Sequence, residues 1–204
     1  PPVLLGGVEF SLSQISLSNI EQLELLSSID IGEKNVVDSD ISPDGKLFVA
    51  VLKEITISGV SKYSIQAWNL NDGTSAFSLD TETTSASGIL VRNDGFYYSV
   101  CNQGYFCSDA EIFFVNTDNW QLTSRGKIEG EVFALSQDGN LAAVNTCTKY
   151  ERGWRDTYYC TYEKMRVWDI SSSTLSDVGD EYEYIRDATI SFDNKFMVFY
   201  GKNK

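Results

Sequence analysis

The sequence predicts an all-β chain built of stacked four-stranded antiparallel blades, about three and a half of them. Three observations carry this reading. A phrase of apolar residues, a Trp-Asp-type pair and a polar turn occurs at Ile65–Thr74 (IQAWNLNDGT) and at Met165–Thr174 (MRVWDISSST), with a weaker copy at Glu111–Trp120 (EIFFVNTDNW). Each phrase follows a turn of another kind: Ser42-Pro43-Asp44-Gly45, Asn93-Asp94-Gly95 and Gln137-Asp138-Gly139, with a degenerate fourth at Phe192-Asp193-Asn194. The turn aspartates recur about every 50, 44 and 55 residues, a period that signals one four-stranded unit per repeat.

Residues 1–22 read as a lead-in: Leu12–Ser18 alternates apolar with polar, and Ser18-Asn19-Ile20-Glu21 has the residues to cap one helical turn. Leu23–Ile31 (LELLSSIDI) reads as a strand. The first blade covers residues 37–79, with strands a to d at Val37–Ile41, Leu47–Glu54, Ser64–Leu70 and Ser75–Leu79. The second covers 87–125, with Ser87–Val91, Phe96–Cys101, Glu111–Val115 and Gln121–Arg125. The third covers 131–178, with Glu131–Leu135, Leu141–Thr146, Tyr162–Ile170 and Leu175–Val178. A fourth starts within 188–204, with Ala188–Phe192 and Lys195–Tyr200. Asp-Gly suits the tight a–b turns because Gly tolerates positive φ and Asp accepts it better than most residues.

Composition narrows the function. The formal net charge of −13 over 204 residues opposes binding to a nucleic-acid backbone. No apolar run reaches the length of a membrane-spanning helix. Histidine is absent, which removes Ser-His-Asp and Cys-His catalysis and His-ligated zinc. Eleven Tyr, eleven Phe and only three Pro suit strands.

The chain resembles the WD40-like β-propellers, bacterial secreted examples in particular. The resemblance rests on Ser42–Leu47 (SPDGKL), the Trp68-Asn69 and Trp168-Asp169 pairs, the blade-length period and the lead-in Ile15–Leu26. It departs from the eukaryotic repeat in lacking the Gly-His pair, so the Asp-His-Ser-Trp hydrogen-bond network of that group is not expected. The resemblance implies that Leu23–Ile31 is the outer strand of the last blade, closing the ring against later parts of a longer chain. Propellers close with roughly 4 to 8 blades, so residues 1–204 then form the N-terminal half of such a protein. Such a piece exposes apolar blade faces and unpaired strand edges at its open end. Closure as a compact four-blade ring, completed by Leu23–Ile31, is the alternative.

The four cysteines sit where strands b end and strands c begin. A hairpin reading pairs Cys101 with Cys107 and Cys147 with Cys160. If bonded cysteines face each other, Phe96 lies opposite Ile112 and Ala142 opposite Met165. Zinc and buried free thiols are the competing readings, and zinc lacks any Cys-x-x-Cys spacing. Disulfides imply an oxidising compartment, extracellular or at the cell surface.

Function is expected on the face that carries the b–c and d–a loops. The b–c loops vary most, at about Ile55–Tyr63, Asn102–Phe106 and Thr148–Thr161. The candidate binding residues are Tyr105 and Phe106 on the second, and Tyr150, Arg152, Trp154, Arg155, Tyr158 and Tyr159 on the third. Trp, Tyr and Arg dominate binding hot spots, whereas the bland reading packs Trp154 onto its own hairpin. The d–a loops are acidic: Asp80 and Glu82, Glu129 and Glu131, then Asp180, Glu181 and Glu183. Solvation is their default role. Ca²⁺ binding and sugar acid–base chemistry compete with it, without a diagnostic spacing. Trp68 and Trp168 read as wedges between blades. The leading expectation is a non-enzymatic scaffold that binds another protein or other macromolecule, with no cofactor; a glycan-binding module using exposed Trp and Tyr is a separate alternative. A propeller hydrolase or lactonase using carboxylates is the runner-up.

Overall fold

The computed structural model describes residues 3–5, 8–10, 28–57, 59–81, 83, 85–101, 107, 109–152 and 158–203; for 3–5, 8–10, Tyr158 and Asn203 it describes the backbone alone. Among these residues there is no helix. β1 (Val3–Leu5) and β2 (Val8–Phe10) pair as a short antiparallel ladder. Blade 1 is β3 (Asn35–Ile41), β4 (Leu47–Ile55), β5 (Ser61–Asn69) and β6 (Ser75–Thr81), in that spatial order. Blade 2 is β7 (Ser85–Arg92), β8 (Gly95–Cys101), β9 (Ala110–Asn116) and β10 (Leu122–Ile128). Blade 3 is β11 (Glu131–Leu135), β12 (Leu141–Arg152), β13 (Tyr158–Asp169) and the first half of β14 (Thr174–Ile190). The second half of β14 pairs with β15 (Met197–Asn203), which begins a fourth unit.

That last joint differs from expectation. The acidic stretch around Asp180, Glu181 and Glu183 is strand rather than loop. β14 runs on for 17 residues, pairing with β13 up to Tyr182 and with β15 from Tyr182 to Ile190. The alternation in Glu181-Tyr182-Glu183-Tyr184-Ile185 keeps the chain extended across the gap between units. Glu131 likewise opens β11, leaving Glu129-Gly130 as the whole connection between blades 2 and 3. The lead-in strand and turn, Leu12–Ser18 and Ser18–Glu21, lie outside the described residues. Of Leu23–Ile31, residues 28–31 are described and form no ladder; Ile29 and Ile31 pack on Ala50, Leu52, Trp68 and Phe48 of blade 1.

Middle strands are covered on both faces, which is why they read as continuous apolar runs. Val49 and Val51 of β4 meet blade 2, while Ala50 and Leu52 face the other way, and all four are 0% exposed. Trp68 (5% exposed) and Trp168 (3%) are core residues, as expected; Trp68 stacks on Phe48 at 5.7 Å. The b–c registers put Phe48 opposite Trp68, Phe96 opposite Val115 and Ala142 opposite Trp168. The expected partners, Ile112 for Phe96 and Met165 for Ala142, were three residues off. Bonded cysteines do not face each other here: Cys101 opposes Ala110, Cys147 opposes Glu163, and Cys160 opposes Tyr150. Both disulfides nevertheless form, with Cα separations of 5.3 Å for Cys101–Cys107 and 5.7 Å for Cys147–Cys160. Register shifts at Cys147/Lys149 and Lys149/Tyr150 absorb the offset in the third hairpin.

The turns show what the repeated residues do. In blades 1 and 3 and in the fourth unit, a Ser hydroxyl binds the turn Asp and accepts the amide of the residue that opens strand b. The bonds are Leu47 N–H to Ser42 Oγ (2.9 Å), Leu141 N–H to Ser136 Oγ (2.8 Å) and Phe196 N–H to Ser191 Oγ (3.0 Å). Gly45 and Gly139 take positive φ there, as predicted, and Asn194 takes it in the fourth. The second turn is shorter, with Arg92 paired directly to Gly95, and Gly95 has no positive φ. Gly is required at Gly95 because a Cβ would collide with the Phe114 ring and the Val115 carbonyl. The polar partner in each Trp phrase caps the following c–d turn: Asn69, Asn116 and Asp169 each accept an amide two residues on, at 2.9 Å.

Inner strands of successive units lie side by side, β3 with β7, β7 with β11 and β11 with β14. Each carries an irregularity against its own strand b, at Val36/Asp38, Ser87/Leu90, Val132/Ala134 and Ile185/Asp187, and β14 has a second at Tyr182/Tyr184. A bulge bends a strand and increases its twist, which suits the crowded inner position.

Candidate interaction face

In an up-and-down antiparallel blade the b–c and d–a connections share one end. The three b–c hairpins differ at that end. β4 and β5 stop at Ile55↔Ser61, and β8 and β9 stop at Cys101↔Ala110. β12 and β13 each run for 12 residues and remain paired to Arg152↔Tyr158. Most of the expected loop Thr148–Thr161 is therefore a projecting two-stranded arm. Alternation continues through it, and β-branched and aromatic residues (Thr148, Tyr150, Tyr158, Tyr159, Thr161, Tyr162) favour the extended state.

The Cys147–Cys160 bond ties the arm near its base. Cross-strand hydroxyl bonds reinforce it: Thr148 Oγ1 to the Tyr162 carbonyl and Thr161 Oγ1 to the Lys149 carbonyl, both 3.1 Å. The Lys149 ammonium sits 5.4 Å from the Tyr162 ring centre and 3.0 Å from the Glu151 carboxylate. Tyr150 and Tyr159 are 46% and 44% exposed, and Arg152 is exposed. Tyr159 Oη donates to Glu151 Oε2 at 3.4 Å. Burial, then the Glu129 charge, pushes the Tyr150 phenol above its ordinary value. The structure thus brings Tyr150, Arg152 and Tyr159 onto one arm. Tyr105, Phe106, Trp154 and Arg155 lie outside the described residues, as does the side chain of Tyr158.

The acidic residues are scattered over different elements. Asp80 is on β6 opposite Ser64, Glu129 is in the β10–β11 connection, and Asp180 is on β14. Among the described residues no group of three or more His, Cys, Asp or Glu is arranged to hold a metal ion. Sequence reasoning missed one cluster. Glu163 Oε2 accepts both the Asn145 side-chain amide (2.8 Å) and the Ile185 backbone N–H (2.6 Å). Burial, and then the Glu163 charge, pushes the Glu131 carboxyl above its ordinary value of 4.5. Glu163 carried no sequence signal, since its role depends on the unforeseen run of β14 past blade 3.

Among the described residues, two of the open clefts lie near the loops and turns. One of about 570 Å³ lies at the b–c end of blade 1, lined by Lys34, Glu54, Lys62, Asp80 and Thr83 among others. The other, about 460 Å³, lies among the a–b turns, lined by Arg92, Asp94, Asp138 and Asn194. Arg92 is occupied there, donating to Asp94 and to the Asp138 carbonyl at 2.9 Å.

No family model matches the chain, and no curated protein matches it. Solved structures do. TolB from Acinetobacter baumannii superposes with a TM-score of 0.54 at 14% identity, over 83% of this chain and 38% of that one. The Pyrococcus horikoshii acylaminoacyl peptidase gives 0.51 at 15% identity, over 76% of this chain and 26% of that one. The computationally designed Ika4 protein gives 0.54 at 12% identity, over 88% of this chain and 92% of that one. The chain spans well under two thirds of the two natural proteins. At these identities the likeness is one of fold: the chain has the antiparallel-blade architecture of a β-propeller, here a partial one.

Proposed function

We propose that this chain is a non-enzymatic propeller scaffold, WD40-like in the bacterial manner, that works outside the cytoplasm. It presents its b–c/d–a face to another macromolecule, a protein or a glycan, as the N-terminal arc of a longer ring. The observation that carries the reading is the β12–β13 arm, longer than its two counterparts, disulfide-braced and exposing Tyr150 and Tyr159. Bracing lowers the ordering cost of binding, and Tyr supplies area with few rotatable bonds. The two disulfides fit an oxidising compartment. Ile29 and Ile31 support the arc: they lie on the side of blade 1 away from blade 2, where the outer strand of a closing blade belongs.

The test is the double variant Tyr150→Ala/Tyr159→Ala. The parent, with a photo-crosslinker at Arg152, is screened against culture-supernatant proteins and a glycan array, and binding and melting are then measured on both forms. Loss of about 2 kcal/mol, near thirtyfold in affinity, with an unchanged midpoint is the expected result. A lowered midpoint with intact binding would mean that the arm is only structural. Activity lost on replacing Asp80, Glu129 or Asp180 would instead favour a hydrolase.

A further inference from the structure

The fourth unit is bare where its counterpart in blade 1 is sealed. The two units share one register: Ile41 pairs with Phe48 and Ile190 with Met197, around turns closed by Ser42-Asp44 and Ser191-Asp193. Phe196, Val198 and Tyr200 therefore occupy the positions of Leu47, Val49 and Val51. Val49 and Val51 are 0% exposed because blade 2 covers them with Ala86, Val91, Phe96 and Tyr98. Phe196, Val198 and Tyr200 are 68%, 65% and 63% exposed, a contiguous apolar face beside Phe192 at 82%. Met197 and Phe199, which alternate with them, pack back onto blade 3 in the ordinary way.

A polar feature repeats in the same register. Asp38 and Asp187 each follow the inner-strand bulge, and each accepts the next residue's amide through Oδ1 at 2.8 Å. Asp38 uses its second oxygen to accept the Ile89 N–H of blade 2 at 2.9 Å. The second oxygen of Asp187 has no partner among the described residues.

We propose that Phe196, Val198, Tyr200 and Asp187 form the docking surface for a further antiparallel blade, whose inner strand donates a backbone N–H to Asp187. The proposal rests on the reading of the chain as an arc and adds the surface and the bond by which the arc continues. Blade 1 of a second copy is not the occupant. Its outward face is covered at strand b, with Ala50 and Leu52 0% exposed beside Ile29 and Ile31, and the Ser39 and Ile41 amides of its inner strand are already held by Asp38 and Asp40.

The probe is the full chain extended in phase. Counted along the sequence from the match of Met197 with Phe48, position 204 corresponds to position 55, so residues 56–128 are fused directly after it. The copied β5 and β6 then complete the fourth unit, and the copied blade 2 meets its open face. Hydroxyl-radical labelling of Phe196, Val198 and Tyr200 should be high in the 204-residue chain and fall, in the extended chain, to the level of Val49 and Val51. Asp187→Asn keeps the Oδ1 acceptor and replaces the second acceptor with a donor. It should lower the melting midpoint of the extended chain about as much as Asp38→Asn does, and leave that of the 204-residue chain unchanged. Unchanged labelling on extension, an appended segment that stays unfolded, or an equal Asp187→Asn effect in both chains overturns the proposal. So does a sedimenting dimer of the 204-residue chain in which these residues are protected, which would make a second copy the occupant. Binding through Tyr150 and Tyr159 is read separately, so its failure leaves this outcome untouched.

Discussion

Replacing Asp40 by Asn tests the joint between blades 1 and 2. Asp40 accepts the Ile41 amide through Oδ1 and the Val91 amide through Oδ2, both at 2.8 Å. Asn retains the first bond and turns an NH₂ donor toward the second amide. Val91 is 1% exposed, so its N–H is left without water or protein to receive it. A buried donor stranded in this way costs about 1–3 kcal/mol. In a chain of this size each kcal/mol moves the midpoint by about 2–4 °C, so a fall of roughly 2–12 °C is expected. Asp38→Asn should lie near the lower end. Burial pushes the Asp38 carboxyl above its ordinary value of 3.8 against the pull of the Ile89 and Ser39 amides, and Asn relieves that burial penalty. The sign for pH follows. A carboxyl raised on folding contributes stability below its ordinary value and loses it as pH rises through the folded one, and Asp38→Asn removes that slope. Thermal melts at neutral pH, with amide exchange at Val91, provide the assay. An Asp40→Asn midpoint equal to the parent, with Val91 still protected, would refute the reasoning.

Three further outcomes are expected. The pair Cys147→Ala/Cys160→Ala, which opens a closure of 13 residues, should cost at most about 3 kcal/mol in a denaturant melt and less if the ladder alone holds the arm. Gly45→Ala and Gly139→Ala separate strain from collision. Both glycines have φ near +71°, but a Cβ at Gly45 meets open space while one at Gly139 strikes the Tyr97 ring. The first should cost about 1–2 kcal/mol and the second more, and equal costs by chemical denaturation would disprove the collision. Burial opposes ionisation of Asp138, yet the Ser136 hydroxyl and the Asn140 amide outweigh it and hold the carboxyl below 3.8. Its contribution is therefore present above that value and lost as pH falls through the folded one. NMR titration of a Ser136→Ala variant should find the Asp138 midpoint moved upward.

Blade count, strand order and the buried Trp68 and Trp168 were legible because turn chemistry and apolar alternation repeat in phase. The strand b to strand c register was not. It was inferred from the cysteines, which bond across bulges and loop ends rather than as facing residues. Asp94-Gly95 resembled the other turns while closing a shorter hairpin, because Asp-Gly fits several turn types equally well. The continuity of β14 was hidden by carboxylates that usually mark loops. Here Glu183 meets Lys202 across the ladder and Asp177 meets Lys164 and Arg166. On the arm, composition pointed to Tyr150, Arg152 and Tyr159, but only the ladder to Arg152↔Tyr158 shows that a paired strand, not a loop, carries them.

The joints between units use different chemistry, and this makes them unequal. Two carboxylates of β3 hold β7 by its backbone amides. Between blades 2 and 3, Ser87 Oγ reaches the Val132 carbonyl at 3.1 Å, and Gly88 lets β7 approach so closely that a Cβ would meet Val132 at 3.2 Å. Between blade 3 and the fourth unit, Glu163 receives the Ile185 amide while β14 runs through both. The first joint thus depends on two Asp side chains as acceptors, the second on a Ser hydroxyl and close fit, and the third on Glu163 beside Glu131. Glu131 is raised by burial and by the Glu163 charge, so its own contribution grows as pH falls, and its protonation leaves Glu163 facing a neutral neighbour. Glu163→Ala would remove the acceptor that holds Asn145 and Ile185. Amide exchange followed downward in pH should therefore find the Ile185 amide holding or gaining protection as Glu131 takes up its proton. A steady loss from neutral pH would mean that Glu163 does not govern this joint.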